Sequence, residues 1–454
     1  MTREQRLALI ATIVGSGIVI LDSTVVNLAL PKIAVGLSAS FADLQWIADG
    51  YLLSLSALIL LGGSLGDIFG RKRVYMIGLV GFGVASLLCG LAPTALLLIL
   101  TRILQGIFGA LLVPGGLAII NTNFPMAERG AAIGTWSAWS AIFAALGPLL
   151  GGYILGVTTW RWIFLINVPL VALCYVLGRA SIKEGKDSRV RRVDSKGAVL
   201  AMLALAGLTY GLIEGPANHW GLGSRIPLII GLILVPLFIR FERRSKDPMV
   251  HLDLFRSGNF TGSNLMTFGM YGALGGFFFA LVIYLQTGLH YSAIKAGLSL
   301  MPVTILLVLF SKRVGKLSSQ VGPKLFMTFG PLIAAAGILS LLRLEHHANY
   351  LTVVLPGVVL FAAGLTLLVA PLTTTVMTSV ADESSGIASG INNAVSRVAG
   401  LIVIALLGLF GTAHVFHFAI LLCAGMAAAS GIISFLTVTN PASAKLSKAT
   451  KTTT

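Results

Sequence analysis

Charge is what this chain has least of. Only 11% of its 454 residues are Asp, Glu, Lys or Arg, and acids are the scarcer sign, 16 against 32 cations. With 56% hydrophobic residues and a mean hydropathy of +0.93, a soluble fold of this size is excluded, and a polytopic membrane protein is expected. Cysteine is also sparse. Cys89, Cys174 and Cys423 lie far apart inside apolar stretches, without metal-ligand spacing or an even count for bridges, and read as packing residues. No GxxxxGK[ST] loop, metal cluster or nucleophile-base arrangement is present, so an ATP-driven pump or a membrane enzyme lacks support and no cofactor is expected. The net charge of +16 does not point to nucleic acid, because the cations collect in short segments between apolar runs.

What is present is a series of apolar runs. Taking about 20 residues per crossing, fourteen spans are expected near 7–30, 43–63, 73–92, 95–118, 131–156, 161–180, 195–214, 226–242, 259–287, 293–312, 323–343, 350–376, 386–410 and 413–437. Arg3 and Arg6 ahead of the first run imitate a signal peptide, but the run is long and has no small-residue cleavage site, so it reads as an uncleaved span. Alternate loops sort the cations. Twenty-five of the 32 Lys and Arg fall on the side carrying the N-terminus, five (Lys32, Arg161, Arg225, Lys295, Arg343) on the other, and Arg102 and Arg397 within spans. Both termini are therefore expected in the cytoplasm.

The turn between the second and third spans, LGGSLGDIFGRKRVY (61–75), sets Asp67 beside Arg71, Lys72 and Arg73 among Gly63, Gly66 and Gly70. These glycines are expected to let two helix ends approach closely. The spacing of Gly63, Leu65, Gly70 and Lys72 returns 252 residues later in Gly315, Leu317, Gly322 and Lys324, with Ser319 in place of Asp67. The echo implies a duplicated architecture: a six-helix half (1–180), two inserted helices bracketed by basic linkers (181–257), a second six-helix half (258–440) and a disordered cytoplasmic tail (441–454).

Only Asp22 and Asp49 among the acids lie clearly inside spans. By helical rise they sit about 13 Å and 9 Å below the outer surface, with Arg102 at about 10 Å. An intramembrane carboxylate suggests proton coupling; the alternative is that either aspartate pairs with Arg102 and holds helices together. Gly147, Pro148, Gly151 and Gly152 in the fifth span suggest a hinge or a tight seam. Tyr51, Trp136, Trp139, Phe277 to Phe279 and Tyr284 suit either a cavity for a flat lipophilic ligand or packing against lipid. Asn392, Asn393 and Arg397 make a polar patch in the thirteenth span, read as interhelical hydrogen bonding or substrate contact. Glu214, His219 and Trp220 are placed in an outer loop with a solvated role.

At these residues the chain resembles the major facilitator superfamily, in its fourteen-helix drug:proton antiporter branch. The 61–75 turn matches G-x-L-A-D-R-x-G-R-K-x-x-L at Gly63, Leu65, Asp67, Gly70, Arg71 and Lys72. L-D-x-T-V-V-N-x-A-L-P is met by Leu21, Asp22, Thr24, Val25, Val26, Asn27, Ala29, Leu30 and Pro31. R-x-x-Q-G appears as Arg102, Gln105 and Gly106, and G-x-x-x-G-P-x-x-G-G as Gly147, Pro148, Gly151 and Gly152, with Phe143 where the first glycine is usual. The resemblance implies an all-α membrane protein of major facilitator fold, with fourteen helices arranged 6+2+6. It implies a monomeric exporter of lipophilic drugs in exchange for protons, in the inner or plasma membrane. Asp22 and Arg102 would carry proton coupling, joined by Asp49. The substrate cavity would hold Asn27, Asp49, Tyr51, Trp136, Trp139, Asn392 and Asn393, and the 61–75 turn would be a cytoplasmic latch. Some multidrug members carry further acids where this chain has Leu307 and the Asn392-Asn393 pair, so a monocationic, neutral or zwitterionic substrate fits better than a dication.

Overall fold

The computed structural model describes residues 1–185, 194–245, 248–344, 349–381 and 384–440, apart from the side chains of 126, 127, 137, 138, 141, 144, 145 and 410–414. The expected disordered tail lies outside the described residues. Among these no strand occurs. Sixteen α-helices follow one another: α1 (Arg3–Leu37), α2 (Phe41–Phe69), α3 (Arg71–Leu91), α4 (Ala95–Asn123), α5 (Met126–Val157), α6 (Trp162–Leu165), α7 (Asn167–Ser181), α8 (Ser195–Ala217), α9 (Leu222–Glu242), α10 (Gly258–Thr287), α11 (Ala293–Ser299), α12 (Met301–Val321), α13 (Pro323–Ser340), α14 (Leu355–Thr378), α15 (Ser385–Leu407) and α16 (Gly411–Thr437).

Among the described residues, thirteen stretches are long and apolar enough to cross a membrane, and Leu146–Val157 within α5 is a shorter apolar segment. Some of the helices start where side chains satisfy free N–H groups. Thr2 and Gln5 form a capping box at α1, Ser40 and Asp43 another at α2, and Thr94 and Asp194 cap α4 and α8. Differences from the expected spans are local. The sixth span is divided between α6 and α7, because Pro169 has no N–H to return to the carbonyl of Leu165, where α6 ends. The tenth is divided before Pro302 and then runs on to Val321.

The helices form two compact units. The first comprises Met1–Val250 with Phe278–Leu298 and Leu401–Phe416; the second comprises His251–Phe277, Ser299–Gly400 and His417–Thr454. In the first, α2 and α3 pack along α4, α1 along α5 and α7, and the pair α8 and α9 joins through α8 on α2. The tight contact between α2 and α4 is not at Gly63 or Gly66. It lies at Gly62 against the Ala110 carbonyl and at Gly106 against Ser54 and the Tyr51 carbonyl, because these two glycines face the neighbouring backbone. In the second unit, α13 and α14 meet through Gly330, Ala334 and Gly337 opposite Gly357, Phe361 and Gly364, so their backbones touch.

Candidate functional site

Five helices of the first unit converge on Asp22. Its carboxylate is fully buried in α1, and the Arg102 guanidinium from α4, 2% exposed, donates from Nη1 to Oδ2 at 2.5 Å. Oδ1 accepts from Gln105 Nε2 at 2.9 Å and from Asn167 Nδ2, on α7, at 3.1 Å. Gln105 spans the site, accepting from Arg102 Nη1 at 2.6 Å and donating to Ser86 Oγ on α3 at 2.9 Å. Arg102 Nε donates to the Ile47 carbonyl of α2, and its guanidinium lies 4.2 Å from the centre of the Tyr51 ring. A buried ion pair of this kind persists because both charges also receive neutral hydrogen bonds and a cation–π contact.

The arrangement has a chemical consequence. An ionised carboxylate only accepts, so its three donors suit the anion; a neutral carboxyl would bring an O–H donor in among them and would keep the Arg102 bond without its charge–charge attraction.

Asp49 is not drawn into this network. It is 0% exposed, and neither carboxylate oxygen has a hydrogen-bond partner among the described residues. One turn away, Trp46 Nε1 donates to Glu214 Oε1 at 2.8 Å, and its ring lies beside Tyr210. Glu214 thus belongs to α8 and is only partly exposed. The expected solvated loop is corrected here: the helix continues past residue 214, which turns the carboxylate toward α2.

The remaining candidates are dispersed. Asn27 is half-buried on α1, Trp136 donates to Ser16 Oγ at 3.1 Å, Trp139 is 47% exposed, and Tyr51 packs under Arg102. In the second unit, Asn392 donates to Asn264 Oδ1 at 3.2 Å and to Thr267 Oγ1 at 2.8 Å. With Asn393, Tyr271, Thr373, Ser389 and Ser396 it lines a cavity of about 100 Å³ whose polar groups are all uncharged.

In the 61–75 turn, Asp67 accepts from Arg71 Nε at 2.9 Å, and Arg71 Nη1 donates to Thr122 of α4 at 3.0 Å. Gly70 has φ +112°, a conformation other residues resist. The acid at the start of α3 is Glu184, which accepts from the backbone N–H of Lys72 and Arg73 at 3.0 and 3.2 Å. Gly322, with φ +102°, occupies the echoing position, and Asn440 Oδ1 accepts from Lys324 N at 3.1 Å. Gly147, Pro148, Gly151 and Gly152 form part of a seam. Side chains at 147 and 151 would strike Thr24 and Val25 of α1, and one at 152 would come within 3.0 Å of the Ala293 carbonyl.

The family model for the Major Facilitator Superfamily matches residues 12–404. The chain belongs to the major facilitator superfamily. It is 34% identical over 410 residues to a multidrug resistance protein, Stp, of Mycobacterium tuberculosis, covering 90% of this chain and 76% of Stp. It is 34% identical over 414 residues to a puromycin resistance protein of Streptomyces alboniger (89% and 81%), and 32% identical over 410 residues to the tetracenomycin C resistance and export protein of Streptomyces glaucescens (90% and 76%). Its fold matches that of a peptide transporter, POT, crystallised with sulfate, at 15% identity and a TM-score of 0.69, covering 96% and 98% of the two chains. This major facilitator is thus a multi-pass membrane transporter of small molecules rather than an enzyme.

Asn167, Ser86 and Glu184 were not expected at functional positions. Asn167 carries a usable signal, a carboxamide inside an apolar run two residues before a proline. Ser86 and Glu184 carry none that separates them from other serines and loop acids.

Proposed function

We propose that this major facilitator exports lipophilic drug-like compounds, cationic, neutral or zwitterionic, in exchange for protons, by alternating access. The observation that carries the proposal is the Asp22 carboxylate, buried with Arg102 and bound by donors from α4 and α7. A proton taken up there removes the charge attraction to Arg102 and biases one facing state, while substrate biases the other. The bare oxygens of Asp49 receive a second proton or the cationic group of a substrate. Asn27, Tyr51, Trp136, Trp139, Asn392 and Asn393 are assigned to the substrate path, Gly63, Asp67, Gly70, Arg71 and Lys72 to a cytoplasmic latch, and the α5 glycines to the seam that α1 moves against. The working form is a monomer in the inner or plasma membrane with both termini cytoplasmic, built as six, two and six helices.

Asp22→Asn tests the coupling. In vesicles it is expected to insert and bind substrate yet lose export driven by a proton gradient; full gradient-driven export by this variant would refute the role. A second reading, a dedicated proton-coupled exporter of one endogenous metabolite or lipid, is favoured by similarity to the tetracenomycin C export protein and, at 32% identity over 417 residues, to a probable actinorhodin transporter of Streptomyces coelicolor. Competition between dyes and extracts of the source cell separates broad from dedicated export. Transport in purified proteoliposomes separates both from a receptor or structural protein on the same scaffold.

A further inference from the structure

The C-terminal end of α9 carries a feature that proton-coupled export does not use. Pro236, Ile239, Arg240, Arg243 and Arg244 line one groove of about 320 Å³. Their spacing of three and four residues places them on one helical face, with the apolar pair toward the helix middle and the guanidinium groups at its end. All three arginines are exposed, and none has an ion-pair or side-chain hydrogen-bond partner among the described residues. Elsewhere, Arg71 is held by Asp67, Arg129 by the Phe124 carbonyl and Arg256 by Asp253. Among the described residues, the acid adjacent in sequence does not neutralise the groove. Glu242 is 2% exposed and turned inward, where its Oε2 accepts from Val250 N at 2.8 Å and its carboxyl lies beside Asp194 over Gly197.

The surroundings of the groove are apolar. α9 packs along α8, and Ile226, Ile229, Leu232 and Ile233 remain between 51% and 59% exposed. On a membrane-spanning helix such a surface meets acyl chains, and the arginines stand where that helix leaves the hydrocarbon.

We propose that this groove is a binding site for an anionic phospholipid, whose phosphate is held by Arg240, Arg243 and Arg244 and whose acyl chain lies over Ile239 and Pro236. Planar guanidinium groups match phosphate oxygens in pairs, and three of them around one groove select a charged headgroup over a zwitterionic one. The bound lipid would fasten the outer helix of the inserted pair to its leaflet.

Native mass spectrometry of the full chain tests the site, with phosphatidylglycerol and phosphatidylcholine of identical acyl chains as probes. Each guanidinium is expected to contribute about fivefold to the preference for phosphatidylglycerol. R240Q/R243Q/R244Q should therefore erase that preference, and Arg243→Gln alone should reduce it several-fold. K312Q/R313Q/K316Q, which removes the same charge elsewhere, should leave it intact. The proposal is overturned if the triple variant keeps the preference, if the control loses it equally, or if millimolar inorganic phosphate displaces the lipid, which would make the site one for free anions. All six positions are exposed, and a size-exclusion profile matching the unmodified chain confirms that the variants fold.

Discussion

Phe143 on α5 lies against Gly17 on α1, its Cγ and Cε2 atoms 2.6 Å from where a Cβ on residue 17 would stand. Gly17 thus makes room for the ring at the place where the α5 motif has a glycine, and the seam between α1 and α5 stays close. Removing the ring by Phe143→Ala is expected to cost about 3 kcal/mol, and Gly17→Ala about 1–3 kcal/mol through overlap. The double variant should be less destabilised than the sum by about 0.5–3 kcal/mol. Thermal unfolding of the purified protein measures the cycle.

The Asp22 network predicts unequal costs. Arg102→Ala leaves a buried carboxylate without its cation and should lose about 3–5 kcal/mol. Adding Asp22→Asn should recover much of that, because the unpaired charge is gone. Asn167→Ala removes one of three donors and should cost about 1–3 kcal/mol. Unfolding midpoints rank the three variants, and export assays should show Asn167→Ala active but reduced.

Glu184 and Asn440 perform one task at echoing places, each accepting from the first turn of the helix that follows a glycine of positive φ. Glu184→Ala and Asn440→Ala should each cost about 0.5–2 kcal/mol. Glu184→Gln, which keeps an acceptor oxygen, should cost less than Glu184→Ala. Hydrogen exchange at the N–H groups of residues 72, 73 and 324 reports the loss locally.

Trp46 and Glu214 join α2 to α8 by one charge-assisted bond. Glu214→Ala should lower stability by about 1–2 kcal/mol, and Trp46→Phe by a similar amount. The double variant should add little, because either change alone breaks the bond. A fully additive result would show that the two side chains do not act together.

The apolar runs were legible because a lipid solvent imposes one requirement everywhere, that the backbone satisfy itself in helices. So were the places where charge interrupts them. Breaks inside spans were less legible, since Pro169 divides a run whose hydropathy is continuous. Pairings across the interior were legible only as alternatives. Helical rise gave Asp22, Asp49 and Arg102 similar depths, and depth alone allowed Arg102 either partner.

The turn at 61–75 divides the two kinds of knowledge. Its glycine requirement, its charges and its echo were all determined by the sequence, because they follow from local conformation and from composition at a membrane surface. Which acid caps α3 was decided by tertiary structure. Asp67, adjacent in sequence, folds onto Arg71, and Glu184, more than a hundred residues away, takes the backbone N–H groups. In the same way the packing of α1 and α2 against α4 decided which partner Arg102 takes: its guanidinium bonds the Asp22 carboxylate and, on α2, the Ile47 carbonyl, and leaves the Asp49 oxygens unbonded.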